Sequence, residues 1–201
     1  MSDRPKTLLQ HAGVPSTPGR LGDAVVVLVD FQMEYVGGAL RLVGVDAAVA
    51  QAAKLLRLAR ETGTPVFHVV HHGRAGGALF DPEGPHCAIV PDLAPAGDEA
   101  VIRKTLPNAF AGTDLADRID ATGRKDLILA GFMTHMCVAA TARAALDLGY
   151  RGTVVAGATA TRDLPDPLGG VVPADAVHRA TLAALADRFA VVVTDAAALA
   201  S

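Results

Sequence analysis

The sequence predicts a three-layer, Rossmann-like α/β fold. Its centre is a six-stranded, mainly parallel sheet in the order 3-2-1-4-5-6, with helices on both faces. Three observations predict it. Short apolar runs rich in Val and Ile, without polar alternation, mark strands covered on both sides. Segments with helical spacing alternate with those runs, which implies right-handed strand–helix–strand units. Two long Gly/Pro-rich stretches, 73–97 and 163–173, follow strands rather than separating domains.

Residues 1–22 read as an N-terminal arm and residues 23–201 as one domain. Ala24 to Val29 is the first strand. Asp46 reads as the N-cap of a helix from Ala47 to Thr62, with Val49, Leu55, Leu56 and Leu58 at helical spacing and Gly63 as its stop. Pro65 to Val70 is the second strand, and 73–97 is a loop of the kind that lines or covers a binding site. Glu99 to Lys104 is the third strand. Thr113, Asp114 and Leu115 open a helix that reaches about Thr122. Asp126 to Gly131 is the fourth strand, and an Ala-rich helix over 135–148 ends at Gly149. Thr153 to Ala156, a helix from Ala174 to Arg188, and Ala190 to Thr194 complete the pattern.

Composition excludes several function classes. The net charge of −3 (18 Lys+Arg, 21 Asp+Glu) leaves no electrostatic footprint for nucleic acid or an anionic membrane. Mean hydropathy is positive, at +0.33. Yet no apolar run approaches the about 18 residues of a spanning helix. Two cysteines make no disulfide scaffold, and no Cys/His quartet has zinc-finger spacing. The first 23 residues lack the apolar core of a signal peptide. A reducing, cytoplasmic location with free thiols is therefore expected, without cofactor or metal.

The strand order puts strands one and four side by side where the winding reverses, and ligands bind beyond that point. Asp30 follows strand one, and the stretch Gly131 to Cys137 follows strand four. A carboxylate at the end of six apolar residues loses solvation, which raises its pKa unless a cation holds it ionised. An N-cap or a structural ion pair is the plainer reading. Cys137 lies near a helix start, where backbone N–H groups favour a thiolate. A buried small hydrophobe is the alternative. Lys104 would simply be solvated, were it not at the same sheet edge as Asp30 and Cys137. Cys87, within a loop, reads as incidental or as an exposed oxidisable thiol.

Three segments together resemble the isochorismatase-like superfamily of cysteine hydrolases. They are Val27 to Gln32; Arg103-Lys104-Thr105 with Asn108-Ala109-Phe110 and Gly112 to Leu115; and Gly131 to Val138. The resemblance spans about Ala24 to Asp195. It implies an Asp-Lys-Cys triad, which falls on Asp30, Lys104 and Cys137. It also implies a non-proline cis peptide between Phe132 and Met133. That bond would aim the Met133 N–H, with that of Cys137, at a developing oxyanion. Thioester-forming hydrolysis of a C–N bond in a small amide, ureido or lactam-like molecule is the expected activity.

Pocket walls are expected from Phe31, Gln32, Tyr35, Phe110, Phe132 and Met136, with His71 or His72 beside them. Each could equally be core. The nicotinamidases of this superfamily hold a metal with an Asp-x-His pair and a further His after the second strand. His71 to Gly77 lacks that Asp, so no metal is expected. Isochorismatases proper cleave a vinyl ether and typically lack the Cys, so Cys137 favours C–N chemistry over ether hydrolysis. A thiol-switch or otherwise non-catalytic α/β protein is the competing reading. A dinucleotide-binding module ranks below both, because Asp30 to Glu34 has no Gly-rich turn. The small-molecule substrate itself, and the partner of Arg162 (an anionic substrate group or a second subunit), stay open. The resemblance implies a homodimer or larger homo-oligomer.

Overall fold

The computed structural model describes residues 5–199; of the predicted arm, residues 1–4 lie outside the described part, as do 200 and 201 of the domain. Within the arm, Leu8–His11 forms a single turn, α1, capped reciprocally by Thr7 and Gln10. It docks on the last helix, where Asp187 accepts the Leu8 N–H at 2.9 Å.

The sheet strands are β1 (Ala24–Val29), β2 (Val66–His71), β3 (Ala100–Lys104), β4 (Asp126–Phe132), β5 (Arg151–Ala160) and, after a short β6–β7 hairpin (Leu164–Pro165 and Val171–Val172), β8 (Ala190–Val193). All pairings in the sheet are parallel, and the order is β3-β2-β1-β4-β5-β8. The hairpin arises from the stretch read as a loop, so the sixth sheet strand is β8. The helices are α2 (Val45–Glu61), α3 (Leu115–Ala121), α4 (Ala139–Asp147) and α5 (Ala174–Arg188).

Alternation along β1 explains the three layers. Ala24, Val26 and Leu28 pack under α2, through Ala48, Ala52, Leu55, Leu56 and Ala59. Val25, Val27 and Val29 pack on the other face with Leu115 and Ile119 of α3, Ala139, Ala142 and Ala145 of α4, and Leu185 of α5. Each fully buried Leu or Val contributes about 1.5–3 kcal/mol, which fixes the register of both faces. No helix among the described residues is long and apolar enough to cross a membrane.

Four local readings need correction. Asp46 is not a cap: Gly44 caps α2 in the left-handed conformation, and Asp46 instead pairs with Arg41 at 2.7 Å. Glu99 sits outside β3, because its N–H turns back to the Ala96 carbonyl at 3.1 Å instead of joining the ladder. The helix read over 135–148 begins as a wide π turn, Thr134–Val138, before α4. β5 runs to Ala160, well past Ala156, because the β4–β5 register shifts between Leu129 and Gly131. The shift carries β5 to the level of the β4 carboxyl end, where Thr161 comes within reach of the π turn.

At the opposite edge of the sheet, Glu99 joins Arg60 of α2 (2.7 and 2.8 Å) to His68 of β2 (2.9 Å). Burial raises the Glu99 pKa, but the bonds from Arg60, Ala96 and His68 outweigh it and hold the carboxyl down at about 2. Folded Glu99 therefore binds fewer protons than unfolded Glu99 between about pH 2 and the ordinary carboxyl range. Stability should fall as pH drops through that window. His68 acts in the same direction, because burial lowers its pKa. Acid titration followed by circular dichroism should show a shallower loss in Glu99→Gln than in the wild type. Parallel acid curves would remove Glu99 from the account.

Candidate active site

The site lies beyond the carboxyl ends of β1, β3 and β4, and close backbone packing brings its parts together. A Cβ on Gly131 would stand 2.0 Å from the Val29 carbonyl oxygen, so only glycine lets β4 run this near β1. Asp30, one residue past β1, takes a left-handed backbone (φ 54°), a region that Asp tolerates better than most residues. Its N–H donates to Val69 O and its carbonyl accepts from the Gln32 N–H, both at 2.8 Å. The side chain is thereby turned beneath the π turn that carries Cys137.

Asp30 and Lys104 are fully enclosed, and Cys137 is buried. Lys104 Nζ stands 2.7 Å from Asp30 Oδ2, donates to Cys137 Sγ at 3.4 Å and faces His71 Nδ1 at 3.3 Å. Among the described residues neither Asp30 oxygen accepts a well-directed hydrogen bond, so the short contact with Lys104 acts as an ion pair. Burial raises the Asp30 pKa, against the opposing pull of Lys104. Burial and the Asp30 charge push the Cys137 thiol up to about 12, more than Lys104 lowers it. Desolvation wins over the turn's N–H groups, and the resting group is a thiol.

The Phe132–Met133 peptide is cis. The Met133 carbonyl closes the π turn by accepting from Met136 N–H (3.0 Å) and Val138 N–H (3.3 Å). The Met133 N–H meets no backbone acceptor among the described residues. Two neighbours of the turn are anchored outward: Thr134 Oγ1 lies 3.0 Å from His178 Nδ1 of α5, and His135 Nδ1 lies 2.6 Å from Thr161 Oγ1.

An aromatic cluster flanks the triad. Phe31 and Phe132 meet edge to face at 4.6 Å, Tyr35 touches Phe132 at 5.6 Å, and Phe80 bridges Tyr35 and His71 at 5.1 Å each. Of the expected walls, Phe31, Tyr35, Phe132 and His71 gather here. Phe110 stands apart, stacked on Tyr150 at 5.7 Å. Met136 is exposed on the π turn beside Cys137. Gln32 is wholly buried and braces backbone: its amide nitrogen donates to His71 O (2.9 Å) and Cys87 O (2.8 Å), while its oxygen accepts the His71 N–H (2.8 Å). Cys87 is buried against these groups, not exposed.

Sequence reasoning missed Phe80, Glu34 and His178. Glu34, buried, accepts the N–H groups of Ala39 (2.7 Å) and Phe80 (3.3 Å), tying two loops together. The Gly73 N–H to Phe80 O bond (2.8 Å) closes the base of the 74–79 tip. Arg162 influences both His135 and Tyr35. Its Nη1 donates to Asp163 O at 3.2 Å, and its Nε is buried without an acceptor among the described residues. No three His, Cys, Asp or Glu side chains among the described residues are placed to share a metal ion.

The profile of the isochorismatase domain matches residues 24–197. A crystal structure of an isochorismatase from Pseudomonas putida superposes with a TM-score of 0.93 at 44% identity, covering 98% of this chain and 100% of that one. A secreted isochorismatase effector of Verticillium dahliae is 35% identical over 182 residues, 90% of this chain and 93% of its own length. A maleamate amidohydrolase of Pseudomonas putida is 36% identical over 146 residues, 65% of this chain and 68% of its own length.

Proposed function

This chain belongs to the isochorismatase family, and from that premise we propose that it is a cysteine hydrolase cleaving a C–N bond of a small amide, ureido or lactam-like molecule. One observation carries the reading: a single buried ammonium, on Lys104, touches both the Asp30 carboxylate and the Cys137 sulfur. The amidohydrolase among the relatives supports C–N chemistry over ether cleavage. A thiol that burial keeps protonated gives little support to a redox switch.

The mechanism follows from charge. At rest the site holds one carboxylate, one ammonium and one thiol. Moving the thiol proton to Asp30 leaves one anion and one cation, so no net charge is created in a dry site. Asp30 loses the charge that opposed the thiolate, and Lys104 is left to stabilise the sulfur anion. Sulfur attacks the carbonyl carbon, and the carbonyl electron pair moves to oxygen, against the Met133 and Cys137 N–H groups. As the C=O re-forms, the C–N bond breaks and Asp30 returns its proton to the departing nitrogen. Water then gives a proton to Asp30 and attacks the thioester carbon. The C–S bond breaks, and the sulfur recovers its proton from Asp30.

The aromatic cluster suits a small, flat, mostly apolar substrate. Arg162, with its unpartnered Nε, would receive an acid group on that substrate. Two free, buried thiols support a reducing, cytoplasmic setting. Leu168 and Val171 together expose an apolar surface on the β6–β7 hairpin, which supports assembly into a homodimer or larger.

A product-release screen tests the function: ammonia from small amides and ureides, ring-opened acid from lactams, each with and without a carboxylate. Cys137→Ala serves as the blank. At least one compound should turn over only with the wild type, and acid-bearing compounds should lead. Silence across every amide, ureide and lactam would overturn the reading.

A further inference from the structure

The neighbour of Lys104 on the other side of the triad has no role in the steps above. β2 and β3 are paired with His71 directly opposite Lys104, and the two side chains meet at 3.3 Å through His71 Nδ1. An ammonium has three protons and accepts nothing. Asp30, Cys137 and His71 are the three polar groups that surround Nζ. We propose that His71 is a positioning residue: its neutral ring accepts the third Lys104 proton and holds the ammonium between the carboxylate and the sulfur. The inference rests on the reading of Cys137 as nucleophile and adds a fourth member to that group.

Several features of the structure prepare His71 for this task. Its backbone is clamped on both sides by Gln32, which explains why a wholly buried amide stands one residue from Phe31. Its ring is set edge to face against Phe80. Burial and the charge of Lys104 depress its pKa to about 4, so near neutral pH it is the uncharged ring that faces Lys104. Because Lys104 can only donate, the Nδ1 lone pair must face it, and the ring proton resides on Nε2. The ring would then offer the cleft an N–H donor of fixed tautomer. A charged imidazolium at the same place would repel the ammonium and loosen its hold on both partners.

Without the acceptor, the ammonium is free to swing away from the line between Asp30 and Cys137, and the thiolate loses its counter-charge. The effect is readable on the free enzyme, with no substrate. The rate of Cys137 alkylation by iodoacetamide at pH 8 is measured by mass spectrometry of the Cys137 peptide, with Cys137→Ala as blank. His71→Leu should slow alkylation about tenfold. His71→Asn places an amide oxygen near the position of Nδ1, and should recover most of the wild-type rate. Circular dichroism and thermal melting establish that each variant is folded. Equal rates in His71→Leu and the wild type would overturn the inference, as would His71→Asn being as slow as His71→Leu, which would mean a space-filling role. A wild-type Cys137 that resists alkylation under all conditions would instead overturn the nucleophile reading, and the inference with it.

Discussion

Cys137→Ala and Cys137→Ser should each fold as the wild type does and lose hydrolysis by about four orders of magnitude or more. The Cys137 sulfur lies 3.4 Å from the Lys104 ammonium, which in turn touches the Asp30 carboxylate at 2.7 Å. A serine oxygen at the same place is a far weaker acid than a thiol. The charge-neutral proton shift to Asp30 then becomes strongly uphill, and the shorter side chain sits farther from the carbonyl. Alanine leaves a void of about one sulfur atom beneath the π turn, which costs little stability. Steady-state turnover of the best compound from the product screen, with the melting temperature as control, checks both halves. Residual turnover above about 1% of wild type in a pure Cys137→Ala sample would point to a different nucleophile.

Lys104→Met should be the most damaging substitution for stability as well as for activity. Both members of the Asp30–Lys104 pair have side chains with no exposure. Removing the cation leaves an enclosed carboxylate with no counter-charge, which costs about 3–5 kcal/mol. Asp30 relieves part of that cost by taking up a proton. Burial already raises its pKa, and the loss of Lys104 raises it further. A group with a raised folded pKa binds more protons in the folded state. The folded variant therefore loses stability as pH rises above the ordinary carboxyl range. Urea denaturation should accordingly show a larger deficit against wild type at pH 8 than at pH 5. Turnover should fall about 10²–10³-fold, as expected when a charge that stabilises the reacting anion is removed. A deficit independent of pH would mean that Asp30 stays ionised without its partner.

The layers, the strand order and the meeting of Asp30, Lys104 and Cys137 were legible because they depend on local pattern. Six apolar residues from Ala24 to Val29 can only be a strand buried on both faces, and Asp30 at their end is conspicuous. Lys104 and Cys137 follow once the order of the strands is set. What stayed hidden depends on distance through space. Phe80 is held at the site by Glu34, 46 residues earlier, which accepts its N–H, and by the Gly73 N–H on its carbonyl. His178 meets Thr134 across 44 residues, with no spacing to announce it. Gln32 was expected to touch substrate, yet it is consumed entirely in bracing His71 and Cys87, since both ends of its amide find backbone partners. Depth through space also bears on the protonation of Cys137. A helix start in the sequence promises donors, but the depth at which it is set decides whether desolvation overrides them.

The clamp between Gly73 and Phe80 has a consequence for how such an enzyme can diversify. Asp30, Lys104 and Cys137 are held by strand ends and a π turn, and His71 by Gln32, all outside that clamp. Residues 74–79 hang beyond it, tied back by the Gly76 N–H to Asp81 Oδ1 bond at 3.1 Å. Because Phe80 of the clamp packs on His71, shortening, lengthening or rewriting those six positions would change the surroundings of His71 while leaving the sheet beneath in register. Libraries confined to that segment are the economical route to altered substrate choice.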